Sequence, residues 1–150
     1  MENEIEKIQE ELLAIMPLWN YRVTKPFKQL LDDGISLEMY YGIQVLRWFG
    51  GNMSMAELTR VMLMPKQQMT KLVNRLEEGG FVERMLDRCD RRSIRVQLTD
   101  KSEEYIAEFL VKDAGYFHTM LERMGAEDRH AFSDAICTLT RVLIAMQKAD

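Results

Sequence analysis

Apolar residues in this chain recur mostly three or four positions apart, and the period changes to two between Phe81 and Leu98. The longer spacing is that of amphipathic helices, whereas alternation of apolar and polar residues is typical of strands. Near the end of this region Ile94, Val96 and Leu98 alternate with polar neighbours. The pattern therefore predicts a mainly helical chain with one β-hairpin, whose strands are Phe81–Leu86 and Ser93–Leu98.

The composition is that of one globular domain. The chain has 150 residues, of which 47% are hydrophobic and 29% are charged. That length suffices to bury an apolar core without a disulfide or a metal, and the composition argues against a disordered chain. The longest apolar run, residues 12–19, is far shorter than the ~20 residues of a membrane span. The first residues are rich in glutamate where a secretory signal is positively charged, so we expect a cytoplasmic protein.

Helix start and stop signals divide the rest of the chain. Ser54 and Glu57 have the spacing of a capping box, in which each side chain accepts a hydrogen bond from the other residue's backbone N–H. Pro17 and Pro26 are expected to bend or interrupt the first helix, because proline lacks a backbone donor. The predicted helices run from about Asn3 to Asp32, from Ser36 to Phe49, onward from Ser54, from Pro65 to Gly79-Gly80, from Thr99 or Asp100 to Met124, and from Glu127 to Gln147.

Two short helices followed by a β-hairpin, between residues 54 and 98, form the layout of a winged helix-turn-helix, whose second helix usually lies in the DNA major groove. Charge supports this interpretation. Residues 51–99 carry nine basic and six acidic side chains, although the whole chain has a formal net charge of −4. The acidic ends would keep bound DNA to the basic middle of the chain.

The helix from Pro65 to Glu78 is amphipathic, with Met69, Leu72, Val73 and Leu76 on the side predicted to face the core. Its other side carries amides and cations that can contact base edges or phosphates, and arginines at the hairpin tip can enter a narrow minor groove. A solvated helix face and a polar loop remain alternatives. The predicted DNA-binding residues are Ser54, Lys66, Gln67, Gln68, Thr70, Lys71, Asn74, Arg75, Arg84, Arg88, Asp90, Arg91 and Arg92.

Residues from about Ile35 to Tyr105 resemble the MarR (multiple antibiotic resistance regulator) family of bacterial transcriptional regulators. The matching segments are Met55–Leu58, Thr70–Arg84, Asp87–Arg92 and Val96–Thr99, whose "LExxGxVxR", "DxxDxR" and "LT" patterns follow one another at fixed distances. This chain departs from the family pattern at Pro65, near the start of the recognition helix, and at Ser102, where a glycine is common. We expect the departure at Ser102 to have little consequence.

The resemblance implies one mainly helical domain, residues 1–150, with some β-structure. Residues 35–99 would form the winged helix-turn-helix, and residues 1–34 and 100–150 would form a helical region that joins two copies in a homodimer. It also implies an effector-responsive repressor of a roughly palindromic operator, with Arg92 entering the minor groove. The alternative is a winged helix that serves only as a protein-interaction module.

Other chemistry has weaker support in the sequence. We find no nucleophile-base pair or phosphate-binding loop, which argues against an enzyme, and two distant histidines do not predict a metal site. Cys89 lies among arginines that could activate a thiol, but redox-sensing relatives carry their cysteine near the N-terminus, so we expect Cys89 to be inert. Apart from a small apolar or phenolic effector near Trp19, Tyr41 and Trp48, no cofactor is expected; ordinary packing is the alternative role for these aromatic residues.

Overall fold

The first unit of the computed structural model, Met1–Leu37, contains an interrupted helix; the structure describes residues 1–112 and 115–150. Helix α1 (Glu2–Trp19) runs into a π-helical turn (Asn20–Thr24) and then into α2 (Lys25–Leu30). The predicted interruption is thus present, with Pro17 inside α1 and a second proline in the first turn of α2. These three elements contain no buried residue.

The second unit, Glu38–Asp150, contains the remaining helices and one sheet. Its elements are α3 (Leu37–Trp48, whose first residue belongs to the first unit), β1 (Asn52–Ser54), α4 (Met55–Val61), α5 (Lys66–Glu78), β2 (Val82–Leu86), β3 (Ile94–Leu98), α6 (Asp100–Lys112), α7 (Tyr116–Glu122) and α8 (Ala126–Ala149). The sequence predicted the helix-turn-helix and both hairpin strands to within one or two residues.

The sheet has three antiparallel strands in the order β1-β3-β2. Met53 of β1 lies opposite Val96 of β3, and Val96 lies opposite Arg84 of β2. The sequence analysis missed β1, because three residues are too few to show an alternating pattern. This strand ties the start of the helix-turn-helix to the hairpin.

The capping box at the start of α4 is confirmed. Ser54 Oγ accepts a hydrogen bond from the Glu57 N–H, and the Glu57 carboxylate accepts one from the Ser54 N–H, each at 3.1 Å. The turn after α4 contains Leu63, which has a φ of +52° and a side chain that is 89% exposed. A left-handed backbone is unfavourable for leucine, whose Cβ approaches the following carbonyl oxygen.

The core of the second unit is centred on α5. Met69, Leu72, Val73 and Leu76 are each 3% exposed or less, as the amphipathic pattern predicted. They are accompanied in the core by buried residues from five other elements, which include Ile43, Leu46, Leu58, Val61, Val82, Val96, Tyr105 and Ile106. The helix is therefore fixed by one face and leaves the opposite face to solvent.

Helix α6 is fastened to the turn between α5 and β2. The Phe81 carbonyl accepts hydrogen bonds from the Thr99 N–H at 3.0 Å and from Ser102 Oγ at 2.5 Å, and Lys101 Nζ donates to the Gly79 carbonyl at 2.6 Å. Ser102 is fully buried. The Ser102 hydroxyl thus forms a buried hydrogen bond that a glycine could not form, a contact that the sequence did not predict.

The predicted long helix through Met124 is instead two helices. α6 ends at Lys112, and α7 begins after Gly115, whose φ and ψ of −82° and −80° are not helical. Residues 113 and 114, which the predicted helix included, lie outside the described residues. The break at Gly125 before α8 is confirmed. Within residues 1–112 and 115–150, every helix is too short or too polar to cross a lipid bilayer.

We predict that Leu63→Gly is more stable than Leu63→Ala by roughly 0.5–1 kcal/mol, because glycine avoids a left-handed cost of about 1–2 kcal/mol and gives back about 0.4–1 kcal/mol in unfolded-chain entropy. Both variants lose the same exposed side chain, so the alanine variant is the matched control. Urea unfolding followed by circular dichroism measures the difference. Equal stability of the two variants would contradict a left-handed backbone at this position.

Candidate nucleic-acid interface

Helix α5 presents a polar face to solvent along its whole length. Pro65 precedes the helix with a φ of −60°, and its carbonyl accepts the Met69 N–H at 3.0 Å, so the missing proline donor costs the helix no hydrogen bond. All the predicted DNA-binding residues of α5 are exposed, namely Lys66, Gln67, Gln68, Thr70, Lys71, Asn74 and Arg75. The amphipathic division that placed them outward is confirmed.

The exposed side chains of α5 differ in what they already bind. Gln68 donates to the Glu38 carboxylate at 3.1 Å, and Thr70 Oγ1 donates to the Lys66 carbonyl at 3.0 Å. The side chains of Lys66, Gln67, Lys71 and Arg75 have no hydrogen bond or ion pair with any residue that the structure describes. Three of these four side chains are cations that an anionic partner could bind without breaking an existing contact.

Arg84 of β2 is bound to the same face of α5. Its Nη1 lies 2.7 Å from Glu77 Oε1, and its Nη2 donates to Asn74 Oδ1 at 2.5 Å. The Arg84 backbone N–H also donates to Glu77 Oε2 at 3.2 Å. The structure therefore places Arg84, which the sequence predicted to contact DNA, in an intramolecular contact between the hairpin and the helix.

The tip of the hairpin, residues 87–93, is held by two aspartates. Asp87 Oδ1 accepts the Cys89 N–H at 2.8 Å, and Asp90 Oδ1 accepts the Arg92 N–H at 3.0 Å. The Asp90 carbonyl also accepts the Ser93 N–H at 2.9 Å. Both aspartates therefore bind the local backbone of the tip, and Asp90, which the sequence predicted to contact DNA, does so with Oδ1.

The tip arginines Arg88, Arg91 and Arg92 are all exposed. Within the described parts of the chain their guanidinium groups form no ion pair or hydrogen bond. The aspartates bind backbone N–H groups of the tip instead of its arginine side chains. The hairpin thus ends in three arginine side chains without an ion-pair partner among the described residues, on a short segment whose backbone is hydrogen-bonded to two aspartates.

Arg95 of β3 links the tip to the sheet, a role that the sequence analysis missed. Its Nη1 lies 3.3 Å from Asp87 Oδ2, and its Nε donates to Asn52 Oδ1 of β1 at 2.5 Å. The pKa of Asp87 lies below its usual value of 3.8, chiefly because the Cys89 N–H donates to the carboxylate and secondly because Arg95 does, while desolvation opposes the shift. Asp87 therefore stays charged, and keeps both contacts, throughout the neutral pH range.

Ser54, another predicted DNA-binding residue, lies at the start of α4 rather than on the exposed face of α5. It is 9% exposed, and its hydroxyl is used in the capping box. A buried cap contributes to the helix-turn-helix by fixing where α4 begins. The sequence pattern of the capping box was sufficient to predict that contact.

The aromatic residues named for an effector are partly exposed and belong to different units. Trp19 ends α1 in the first unit, whereas Tyr41 and Trp48 lie on α3; their exposed fractions are 43%, 44% and 42%. A cleft of about 430 Å³ opens in the second unit and is lined by Arg47, Gly50, Gly51, Asn52, Gln97, Leu98, Thr99, Asp100 and Glu103. Tyr41 and Trp48 do not line it. An Arg47–Glu103 ion pair of 3.1 Å occupies part of its wall.

The histidines and cysteines do not converge. His118 and His130 each lie beside a carboxylate one turn further along the same helix, at 3.4 and 3.6 Å, and both cysteines are exposed thiols. Over residues 1–112 and 115–150, no group of three or more metal-ligating side chains is close enough to hold an ion.

Comparison with known proteins finds one matching family model and several similar chains. Residues 44–93 match the model of the MarR family. The uncharacterized HTH-type transcriptional regulator YsmB of Bacillus subtilis is 25% identical over 136 residues, which are 91% of this chain and 88% of YsmB. A MarR family protein from Bacillus stearothermophilus has a similar structure, with a TM-score of 0.65, 22% identity, and coverage of 95% of this chain and 97% of that one.

A second solved structure is the organohalide-sensing transcriptional regulator RdhR-CbdbA1625 in its 2,4-dichlorophenol-bound form. It matches with a TM-score of 0.51 and 17% identity, over 97% of this chain and 82% of that one. Its fold is the same winged helix-turn-helix with flanking helices. The family model over residues 44–93, the named relatives and the shared fold agree with the motifs of the sequence: this segment of the chain matches the MarR family, whose members are transcriptional regulators.

Proposed function

We propose that this protein is a homodimeric repressor that binds double-stranded DNA through α5 and the hairpin tip and responds to a small effector. One observation carries the proposal: α5 and the tip carry six exposed cations that have no partner among the described residues, although the chain as a whole has a net charge of −4. These cations are Lys66, Lys71, Arg75, Arg88, Arg91 and Arg92. Uncompensated cations gathered on a mainly acidic protein favour a polyanionic partner.

The two parts of this surface suit the two grooves of DNA. Helix α5 is long enough to lie in the major groove, where Gln67 and Lys71 would meet base edges and Arg75 would meet phosphates. The hairpin tip is a narrow two-stranded ribbon whose arginines suit the negative potential of the minor groove. The hydrogen bonds of Asp87 and Asp90 keep the tip ordered before DNA is bound, which lowers the entropic cost of association.

A second copy of the chain would cover the exposed apolar side chains of the terminal helices. Helix α1 exposes Ile5, Ile8 and Leu12 by 55% or more, and α8 exposes Leu139, Val142, Leu143 and Met146 by 41% or more. Apolar stripes of this length on an isolated subunit indicate an interface with another protein. Two subunits related by a twofold axis would present two copies of α5 to successive major grooves, about 34–36 Å apart, on a roughly palindromic operator. Bound there, the dimer would occlude a promoter.

We predict that Arg92→Ala weakens binding to operator DNA about tenfold, or about 1.4 kcal/mol, because it removes a minor-groove cation and leaves the Asp90 contact to the backbone N–H in place. The measurement is fluorescence anisotropy on DNA from upstream of the protein's own gene, at several salt concentrations. Arg141→Ala is the matched control, since Arg141 is an exposed arginine on α8 outside the proposed surface. Wild-type affinity and an unchanged salt slope in Arg92→Ala would refute the role of the wing.

We predict that the wild-type protein sediments as a dimer and that Leu139→Arg sediments as a monomer, because an arginine would place an unpaired charge in the apolar stripe of α8. Sedimentation velocity over a range of concentrations measures the change. Cys137→Arg places the same side chain on the opposite side of α8, where the residue is exposed, and should leave the dimer intact. A wild-type monomer, or a dimer that tolerates Leu139→Arg, would exclude α8 from the interface.

The effector part of the proposal is supported by the exposure of Trp19, Tyr41 and Trp48 and by the phenol bound to a protein of the same fold. An aromatic ligand that stacks on an exposed indole changes its fluorescence. We predict that chlorinated phenols quench the tryptophan emission saturably and release the protein from DNA. Comparison of Trp19→Phe with Trp48→Phe identifies the tryptophan whose emission is quenched. If no phenol alters the emission at saturating concentration, phenols are excluded as effectors.

A further inference from the structure

The contact between Arg84 and Asn74 has a consequence for base recognition. Arg84 belongs to β2, yet its guanidinium lies against two residues of the exposed face of α5, Glu77 at 2.7 Å and Asn74 at 2.5 Å. Side-chain exposure is 24% for Arg84 and 43% for Glu77, so the contact is partly shielded from water. The hairpin therefore binds a side chain on the surface that the proposed function places in the major groove.

A guanidinium group settles the orientation of a neighbouring amide. Asparagine has one acceptor, Oδ1, and one donor group, the Nδ2 amide, whereas arginine has donors alone. The opposite orientation of Asn74 would bring its Nδ2 hydrogens against those of Arg84 Nη2. The bond to Oδ1 consequently turns the Nδ2 group of Asn74 away from the hairpin.

The adjacent charges keep this arrangement in place. The Glu77 carboxylate accepts from both Nη1 and the backbone N–H of Arg84, so the guanidinium is held by an ion pair as well as by Asn74. An arginine that already has a carboxylate partner has less to gain from a DNA phosphate than the unpaired arginines of the hairpin tip. Arg84 therefore differs in role from Arg88, Arg91 and Arg92.

We propose that Arg84 is a positioning residue that makes Asn74 select a base acceptor, so that guanine is preferred over adenine at the base pair that Asn74 contacts. This inference rests on the proposed function, in which α5 lies in the major groove. Bidentate recognition of adenine requires an asparagine to offer Oδ1 and Nδ2 together, whereas guanine presents two acceptors, N7 and O6. With the Arg84 guanidinium beside Asn74 Oδ1, the exocyclic amino group of adenine would face a positive charge. Its hydrogen bond to Oδ1 would then not form.

The proposal differs from the contact expected from residue type alone, in which asparagine pairs with adenine. It also makes a prediction that a purely structural role does not. Loss of a structural contact weakens binding to every sequence alike, whereas release of the Asn74 amide changes the ratio of affinities for two bases at one position. The base ratio is therefore the quantity to measure.

The test begins with a duplex that the wild-type protein selects from a random library. Each base pair of one half-site is then changed in turn to the other three. The affinity of the protein for each duplex is measured by fluorescence anisotropy. The position at which Asn74→Ala abolishes discrimination is the one that Asn74 contacts. We expect the wild type to prefer guanine there. Arg84→Met, which keeps the apolar stem and removes the guanidinium, should raise the adenine-to-guanine affinity ratio about tenfold at that position and change ratios elsewhere less than twofold.

Arg88→Met is the matched control, because it removes an unpaired arginine of the hairpin tip and should weaken all sequences alike. The double variant Asn74→Ala/Arg84→Met should show the same lack of discrimination as Asn74→Ala, and circular dichroism melts establish that each variant is folded. A wild-type preference for adenine at the Asn74 position, or a uniform loss of affinity in Arg84→Met, would overturn this inference and leave the proposed function standing. A wild-type protein that binds no duplex at low salt would overturn both.

Discussion

The burial of one face of α5 is the constraint on which the rest of the second unit depends. Met69, Leu72, Val73 and Leu76 are spaced so that all four enter the core, and each is 3% exposed or less. Because a helix has 3.6 residues per turn, burying this stripe fixes the rotation of α5 about its own axis. Lys66, Gln67 and Lys71 are then directed to solvent with no further constraint. The identity of the side chains on the proposed DNA-binding face therefore follows from the packing of the residues on the opposite, buried face.

The hairpin is ordered mainly by surface hydrogen bonds rather than by burial in the core, since little of it is buried. Its strands end in exposed apolar residues, Leu86 and Ile94, and its tip is held by Asp87, Asp90 and Arg95 through hydrogen bonds and one ion pair. Such contacts at a surface are individually weak, but several short-range hydrogen bonds within seven residues restrict the backbone together. The result is a tip that is ordered without a core and keeps its three arginine side chains available.

The features predicted from the sequence are those encoded by local patterns. The capping box of Ser54 and Glu57, the two faces of α5 and the alternation of β3 each depend on residues within one element, so spacing sufficed. The missed features depend on contacts between elements or on backbone geometry: β1 is three residues long, Ser102 is buried against Phe81, and Leu63 has a left-handed backbone. Arg84 is the clearest case. The sequence assigns its charge to DNA, whereas β2 places it against Glu77 and Asn74.

The fastening of α6 has a mechanical consequence. Thr99, Lys101 and Ser102 bond to the backbone of residues 79–81, where α5 gives way to β2. Four hydrogen bonds from residues 99–102 hold the start of α6 against the end of α5. A rotation of α6 about its first turn would therefore have to break these hydrogen bonds or carry the end of α5 with it.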